Sequence, residues 1–280
     1  MREITVFTHA RPDDSRQVLE QLLGQAVTAG VTLRLDPEET RKHALPAGPG
    51  VELDAEVKKD VELCVVLGGD GTILRALQIY AGTDVPVFGV NFGQIGFLAT
   101  VEPDDRDGIA RALSGDFELL RLPAVVVELP SGPRAAINDV AIHRKVGERV
   151  AELAYALEGE VAGSVRCDGL VVATPAGSTG YNLANGGPVM AWGVEGFVVS
   201  FIAPHSMSAR ALVVAPDDRL TIFNRSTEPL DVAIDGRPVG EIPGEGSIEA
   251  RFVSEIATLA QLQGSSFYRR LREKFGRLAS

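Results

Sequence analysis

The sequence of 280 residues is poor in cysteine and in positive charge. Its two cysteines, Cys64 and Cys167, form no CxxC pair and have no histidine at metal-ligand spacing, so neither a disulfide framework nor a zinc site is expected. Lysine and arginine number 27 against 38 aspartates and glutamates, which gives a net charge of −11. Proteins that bind nucleic acid or anionic lipid use basic surfaces. Neither partner is therefore expected, and a bound anion must be held by local donors.

Long hydrophobic runs are also missing. No apolar stretch approaches the roughly 18 residues that a membrane-spanning helix needs, and the chain enters a strand-like segment directly after residues 1–3, without the pattern of a signal peptide. The composition, 45% hydrophobic and 23% charged, is ordinary for a globular protein. We expect a soluble, cytoplasmic protein, and its length favours two domains.

The first 120 residues have the pattern of an α/β domain with a parallel sheet. Apolar runs typical of buried strands alternate with segments of helical spacing; the strands are predicted at 4–7, 31–35, 62–67 and 85–90, and the helices at 15–29 and 73–80. Residues 36–54 contain three prolines, two glycines and several charges. This composition predicts a surface loop.

The pattern changes near residue 121, where short alternating runs separated by turn residues begin. They predict an antiparallel, β-sandwich-like domain over 121–260, with strands at 124–129, 137–143, 153–158, 197–203, 230–235 and 248–253 and a further one beginning at Leu220. The stretch 265–280 is basic, with Phe267, Leu271, Phe275 and Leu278 at helical spacing. It predicts a closing helix that joins the first domain.

The glycine-rich segment Gly68-Gly69-Asp70-Gly71-Thr72 lies between a predicted strand and a predicted helix. Backbone N–H groups at a helix N-terminus bind anions, and glycines let the backbone approach a phosphate. Asp70 would repel that phosphate unless it holds a metal or takes a proton from a nucleophile. Alternatively, it only caps the helix. The segment is neither a P-loop nor a GxGxxG motif, and alone it leaves both interpretations open.

Two further polar segments are candidates for ligand binding. Residues 168–181 combine small hydroxyl residues, glycines and one aromatic, as in a close-fitting nucleotide pocket, although such clusters are also common in loops. Asn138 and Asp139 interrupt an apolar strand. They suit ribose and adenine recognition, or else mark an edge or a bulge.

Together and in this order, these segments resemble the NAD kinase family. The resemblance rests on GGDGT at 68–72, VNFGQIGFL at 90–98, the Asn138–Asp139 pair, DGLVVATPAGSTGY at 168–181, PHSMSARALVV at 204–214 and Asp235-Gly236. It covers about residues 60 to 240. It implies an N-terminal α/β domain, a C-terminal β-sandwich and assembly into a homodimer or homotetramer.

The resemblance also implies roles for individual residues. Asp70 is the general base that takes the proton from the 2′-hydroxyl of the adenosine ribose of NAD, and Phe97 lines the dinucleotide pocket. Phosphates are cradled by Gly68, Gly69, Gly71 and Thr72. The dinucleotide is held by Asn138, Asp139, Asp168, Ser178, Thr179, Gly180, Tyr181 and Ala184. The family commonly has serine at the position of Ala184, alanine at Gly180 and threonine at Ala176.

Family members use a divalent cation such as Mg²⁺ or Mn²⁺ with ATP or polyphosphate as phosphoryl donor. In an acidic chain the donor needs local cations, and Arg75, Arg149 and Arg166 lie close in sequence to the motifs. Each is a candidate phosphate contact. A surface salt bridge is the alternative, favoured for Arg149.

Three other functions fit parts of the pattern. Lipid kinases and phosphofructokinases share a GGDG loop but lack the segments at 168–181 and 204–214. A non-catalytic NAD-binding sensor would gain nothing from Asp70 beside phosphates. A dehydrogenase would need GxGxxG after a first strand. The sequence leaves open the donor, the preference for NAD or NADH, the metal and the oligomer size.

Overall fold

The computed structural model describes residues 2–93 and 96–276 and divides the chain into two compact units. The first comprises residues 1–121 and 257–280, and the second residues 122–256. Leu278 and part of the 90–98 motif lie outside the described residues.

The first unit is an α/β layer built on a parallel sheet. Its strands are β1 (Arg2–Thr8), β2 (Val31–Arg34), β3 (Val51–Glu52), β4 (Leu63–Gly68) and β5 (Val87–Asn91), in the order β5-β4-β1-β2-β3. Its helices are α1 (Pro12–Ala29), α2 (Pro37–His43), α3 (Asp70–Ile79), α4 (Arg106–Ser114) and α6 (Phe267–Phe275). All six residues of β4 are buried, as expected for a strand covered on both faces.

The register of this sheet brings the ends of its central strands together. Val6 of β1 pairs with Val65 of β4, and Val66 of β4 pairs with Gly89 of β5. Thr8, Gly68 and Asn91 therefore lie at the carboxyl edge, where parallel α/β sheets bind ligands.

The second unit contains two antiparallel sheets around one hydrophobic core. Its elements are β6 (Glu118–Leu129), β7 (Gly132–Ala136), β8 (Asp139–Arg144), β9 (Ala151–Leu157), β10 (Glu160–Cys167), β11 (Gly169–Ala173), α5 (Tyr181–Ala184), β12 (Phe197–Ile202), β13 (Leu212–Val214), β14 (Leu220–Asn224), β15 (Leu230–Ile234), β16 (Arg237–Ile242) and β17 (Ser247–Gln261). Residues 118–121 of β6 and 257–261 of β17 belong to the first unit. One sheet has the order β13-β12-β11-β8-β15-β16, and the other contains β10-β9-β14-β17. Side chains from both sheets, such as Ile142 and Leu153, share the core.

The predicted fold class is confirmed: a parallel α/β domain, a C-terminal antiparallel β domain and a closing helix. The predicted loop at 36–54 is wrong in part, because it contains α2 and β3. Asp36 caps α2 by accepting from the N–H of Glu39 at 2.8 Å, and Pro37 occupies the first turn. The helix predicted from 73 begins earlier, at Asp70. Both cysteines are buried and unpaired, and no helix among the described residues is long and apolar enough to cross a membrane.

Candidate functional site

Asp70 is the first residue of α3 and lies beside the turn that follows β5. Its carboxylate is half-buried and accepts two backbone hydrogen bonds, from the N–H of Phe97 at 2.8 Å and that of Leu98 at 3.1 Å. Burial raises the pKa of Asp70, while the two N–H groups and the cations Arg270 and Lys274 oppose that rise. The result is a carboxylate with some of the basicity that proton abstraction requires.

Gly68 leaves room for the side chain of Thr72, and Gly69 lies against the backbone of Gly93. A Cβ on Gly68 would lie 2.7 Å from Cβ of Thr72, and a Cβ on Gly69 would lie 3.4 Å from Cα of Gly93. The first N–H groups of a helix have no acceptor within it. The structure thus places the start of a helix next to the carboxylate, with Gly71 exposed at the same turn.

Phe97 belongs to the same part of the first unit. It is buried, and its ring packs against Phe267 and Phe275 of α6, with ring centroids 6.5 and 5.5 Å away. The Arg270 side chain donates to its carbonyl oxygen. Arg270 had no predicted role, because 173 residues separate it from Phe97 in sequence.

Arg75 is engaged elsewhere. Its guanidinium forms an ion pair with Glu38 at 2.9 Å and lies over the ring of Phe7. Of the two interpretations of Arg75, the structure favours the salt bridge.

In the second unit, Asn138 and Asp139 are held by the carboxylate of Asp235. That carboxylate accepts the N–H groups of Ile137 at 3.0 Å, Asn138 at 2.7 Å and Asp139 at 3.0 Å. Oδ1 of Asn138 is buried and has no hydrogen-bond partner among the described residues. Burial and the nearby Asp235 raise the pKa of Asp139 to about 7.

The segment 174–184 packs directly against that pair. Thr174 donates to the carbonyl of Ile137 at 2.6 Å, and a Cβ on Gly177 would meet the carbonyl oxygen of Asn138 at 2.0 Å, so only glycine fits there. Ser178 is fully buried, and its hydroxyl bonds the carbonyl of Pro175 and the N–H of Met190. That hydroxyl serves the segment's own structure.

The outer part of this segment is open to solvent. Gly180 and Ala184 are exposed, and Thr179 donates back to the carbonyl of Ala176 at 3.3 Å. Tyr181 is 36% exposed and stacks on His143, with ring centroids 5.6 Å apart. This stacked pair offers a flat aromatic surface to a ligand.

The remaining predicted residues of this unit lie around a second cluster of charges. Asp168 accepts from Nε of Arg144 at 2.6 Å, which lowers its pKa. Arg149 and Arg166 line a cavity of about 490 Å³ together with Arg144. Glu148, Glu152 and Glu228 line it as well and offset much of the positive charge.

Within the described part of the chain, no group of three or more His, Cys, Asp or Glu side chains could hold a metal ion.

Comparison with known proteins gives one consistent result. Residues 6–116 match the family model for the ATP-NAD kinase N-terminal domain, and residues 137–259 match that for the C-terminal domain. The NAD kinase of Lachnoclostridium phytofermentans is 32% identical over 289 residues, which cover 99% of both chains. NAD kinase 2 of Streptomyces avermitilis is 36% identical and covers 98% of this chain and 94% of its own.

Solved structures agree with the sequence relatives. An NAD kinase from Archaeoglobus fulgidus in complex with ATP superposes with a TM-score of 0.75 at 26% identity, over 98% of each chain. Yeast NADH kinase complexed with NADH gives a TM-score of 0.87 at 20% identity, over all of this chain and 89% of the other. The latter likeness concerns the fold.

Proposed function

The chain belongs to the NAD kinase family, and on that premise we propose that it phosphorylates NAD to NADP with ATP or polyphosphate as donor. The observation that carries the proposal is the position of Asp70. It is a half-buried carboxylate at the start of a helix, next to the glycine loop whose N–H groups are proposed to bind phosphate.

In the proposed step, the carboxylate of Asp70 accepts the proton of the 2′-hydroxyl of the adenosine ribose. The ribose oxygen forms a bond to the terminal phosphorus of the donor while the bond from that phosphorus to its leaving oxygen breaks. ADP, or a polyphosphate shortened by one unit, leaves. Such a base contributes roughly 10²- to 10⁴-fold to the rate, and positioning and charge stabilisation supply much of the rest.

The substrate donor is the complex of ATP or polyphosphate with Mg²⁺ or Mn²⁺. Phosphate oxygens are hard ligands that these cations prefer. N–H groups of the loop at Gly68, Gly69 and Gly71 would bind the remaining phosphate oxygens. Thr72, in the first turn of the helix, is proposed to contact the phosphates with them.

The second unit is proposed to recognise the dinucleotide. Asp139, with a pKa of about 7, offers a carboxyl that both donates and accepts hydrogen bonds at neutral pH. Asn138 adds an amide, and the exposed edge of Tyr181 adds a surface on which a heterocycle can stack. Thr179, Gly180 and Ala184 would contribute backbone and small-residue contacts there. Asp168 stays predicted as a dinucleotide contact, and Arg149 and Arg166 stay candidates for contacts with phosphate or ligand.

We also propose a homodimer or homotetramer. β13 lies at an end of the six-stranded sheet, and Leu212 and Val213 in it are 37% and 50% exposed. An open apolar edge strand is a natural site for self-association.

The function is tested by incubating the purified protein with NAD, Mg²⁺ and either ATP or polyphosphate, and measuring NADP with an NADP-specific dehydrogenase. We expect NADP with at least one donor. If calorimetry shows that NAD binds but no donor yields NADP, the phosphotransfer proposal is wrong and a binding function replaces it.

A further inference from the structure

We propose that Arg270, on the closing helix α6, is a positioning residue for the reaction: it holds the turn at Phe97–Leu98 against Asp70 and so fixes the orientation of the base. This inference rests on the proposed function of Asp70. It assigns a part in catalysis to a helix that lies beyond all the sequence motifs.

The contacts form a chain through one peptide turn. The guanidinium of Arg270 donates to the carbonyl oxygen of Phe97. The N–H of Phe97 donates to Oδ2 of Asp70 at 2.8 Å, and the N–H of Leu98 donates to Oδ1 at 3.1 Å. Arg270 therefore binds one side of the turn while Asp70 binds the other. Movement of the turn would release both carboxylate oxygens.

The helix is anchored on the same turn by apolar contacts. The rings of Phe267 and Phe275 pack on Phe97, and Leu271 is buried. These three residues recur at i, i+4 and i+8, which is one face of a helix. Arg270 lies beside that face and is only 8% exposed.

Burying an arginine side chain lowers the stability of a fold unless its charge is compensated. Removing a guanidinium from water carries a large free-energy penalty, and that penalty lowers the pKa of Arg270 to about 10. Apolar residues of similar size often serve stability as well or better. The contact with Phe97 and the field at Asp70 explain why a cation stands there.

The electrostatic effect has a definite sign. Burial raises the pKa of Asp70, and Arg270 and Lys274 act against that rise, while Glu273 faces Arg270. Loss of Arg270 removes a cation and loosens two amide donors. Both changes favour the protonated form of Asp70. In the variant Asp70 would therefore become protonated, and stop acting as a base, at a higher pH than in the wild type.

Three variants test this: Arg270→Met, Arg270→Lys and the control Arg272→Met, which changes an exposed arginine of the same helix. For each, kcat and KM for NAD are measured from about pH 5 to about pH 9, alongside thermal unfolding. We expect Arg270→Met to lower kcat by about 10- to 100-fold with little change in KM, and to move the acidic limb of the kcat profile to higher pH. Arg270→Lys should return that limb toward the wild type, and Arg272→Met should match the wild type throughout.

Each contrary outcome has a separate meaning. A wild-type kcat and limb in folded Arg270→Met would overturn the role of Arg270 and leave the proposed function intact. A lowered kcat with an unmoved limb would show a structural role only and overturn it equally. If Arg270→Met does not fold, Arg270→Gln decides, because an amide can still donate to the carbonyl of Phe97 but carries no charge: the acidic limb should again move to higher pH, and an unmoved limb would overturn the role of Arg270. A wild type that forms no NADP would refute the proposed function itself.

Discussion

Two carboxylates, one in each unit, accept hydrogen bonds from backbone N–H groups that lie far away in sequence. Asp70 binds the N–H groups of Phe97 and Leu98, and Asp235 binds those of three consecutive residues from Ile137 to Asp139. Each fixes a distant turn beside its own helix or strand. The difference lies in what else each does, since the proposed role of Asp70 is to accept a proton whereas Asp235 holds the residues proposed to bind the dinucleotide.

The protonated form of the Asp139 carboxyl is favoured in the folded protein, and ionising it lowers the stability of the fold. Its pKa in the folded protein is raised to about 7 by burial and by Asp235. The folded state therefore binds more protons than the unfolded state between about pH 4 and about pH 7, and stability falls as pH rises through that window. Asp139→Asn removes this cost.

We expect Asp139→Asn to raise the midpoint of thermal unfolding relative to the wild type at about pH 8, and to have little effect near about pH 3, where the wild-type carboxyl is mostly protonated in both states. The gain at the higher pH should be on the order of a few kcal/mol. Equal effects at both pH values would show that the pKa of Asp139 is not raised in the folded protein.

Tyr181 is the residue-scale test of dinucleotide binding. An aromatic stack under a base contributes about 1–3 kcal/mol, so Tyr181→Ala should raise KM for NAD by about tenfold and change kcat less. Tyr181→Phe keeps the ring against His143 and should stay near the wild type. A wild-type KM in Tyr181→Ala would place the ligand away from this ring.

At the scale of the element, α2 is fastened to the end of β1 by buried polar groups. Thr8 donates to Oε2 of Glu39 at 2.6 Å through its hydroxyl and to Oε1 at 3.1 Å through its N–H, and the hydroxyl also lies 2.8 Å from Nε2 of His43. Lys42 adds an ion pair with Glu39 at 2.8 Å. Glu39 and His43 are each only 1% exposed.

Thr8→Val should therefore destabilise the protein by about 1–3 kcal/mol, because it leaves Glu39 and His43 short of a partner in a buried site. The free energy of unfolding in urea measures this. Thr28→Val is the matched control, since that hydroxyl is exposed and bonds only the carbonyl of Gly24 in α1. A similar loss in both variants would mean that the buried hydroxyl has no special part.

The sequence pattern predicted the elements around Gly68 correctly but missed helix α2. The strand before Gly68 and the helix after it were predictable, because a continuous apolar run, a glycine turn and helical spacing coincide there. α2 was mistaken for part of a loop because the three prolines of residues 36–54 outweighed its other signals. Asp36 before Pro37, followed by two glutamates, was the local helix-start signal.

The candidate site was predictable only where chemistry is local in sequence. Gly68–Thr72 forms one turn, and Asn138 and Asp139 are neighbours, so each appears as a motif. The contacts of Asp70 with the turn at Phe97, of Arg270 with that turn, and of Asp235 with Asn138 join residues far apart in the chain. The fold creates these contacts, and no spacing rule indicates them.

At the scale of the whole molecule, each unit has a complete core and carries one part of the proposed chemistry. The α/β unit holds the loop proposed to bind phosphate and the proposed base. The β unit holds the residues proposed to bind the dinucleotide.

Self-association is the expectation that belongs to this scale. Light scattering at micromolar concentration should give the mass of a dimer or a tetramer. Val213→Glu places a charge on the exposed edge strand β13 and should shift the mass toward the monomer. Wild-type protein that scatters as a monomer would contradict the proposed assembly, and an unchanged oligomer in Val213→Glu would place the interface elsewhere.

The central claim is that Asp70 is the general base for phosphorylation of the 2′-hydroxyl. The most direct measurement is the single-turnover rate of NADP formation by Asp70→Asn, with Asp105→Asn as the control, since Asp105 caps α4 through the N–H of Gly108 at 2.8 Å. Calorimetry verifies that each variant binds NAD. The account predicts a loss of about 10²- to 10⁴-fold for Asp70→Asn alone. A rate within a few-fold of the wild type in that variant, with NAD bound normally, would contradict it.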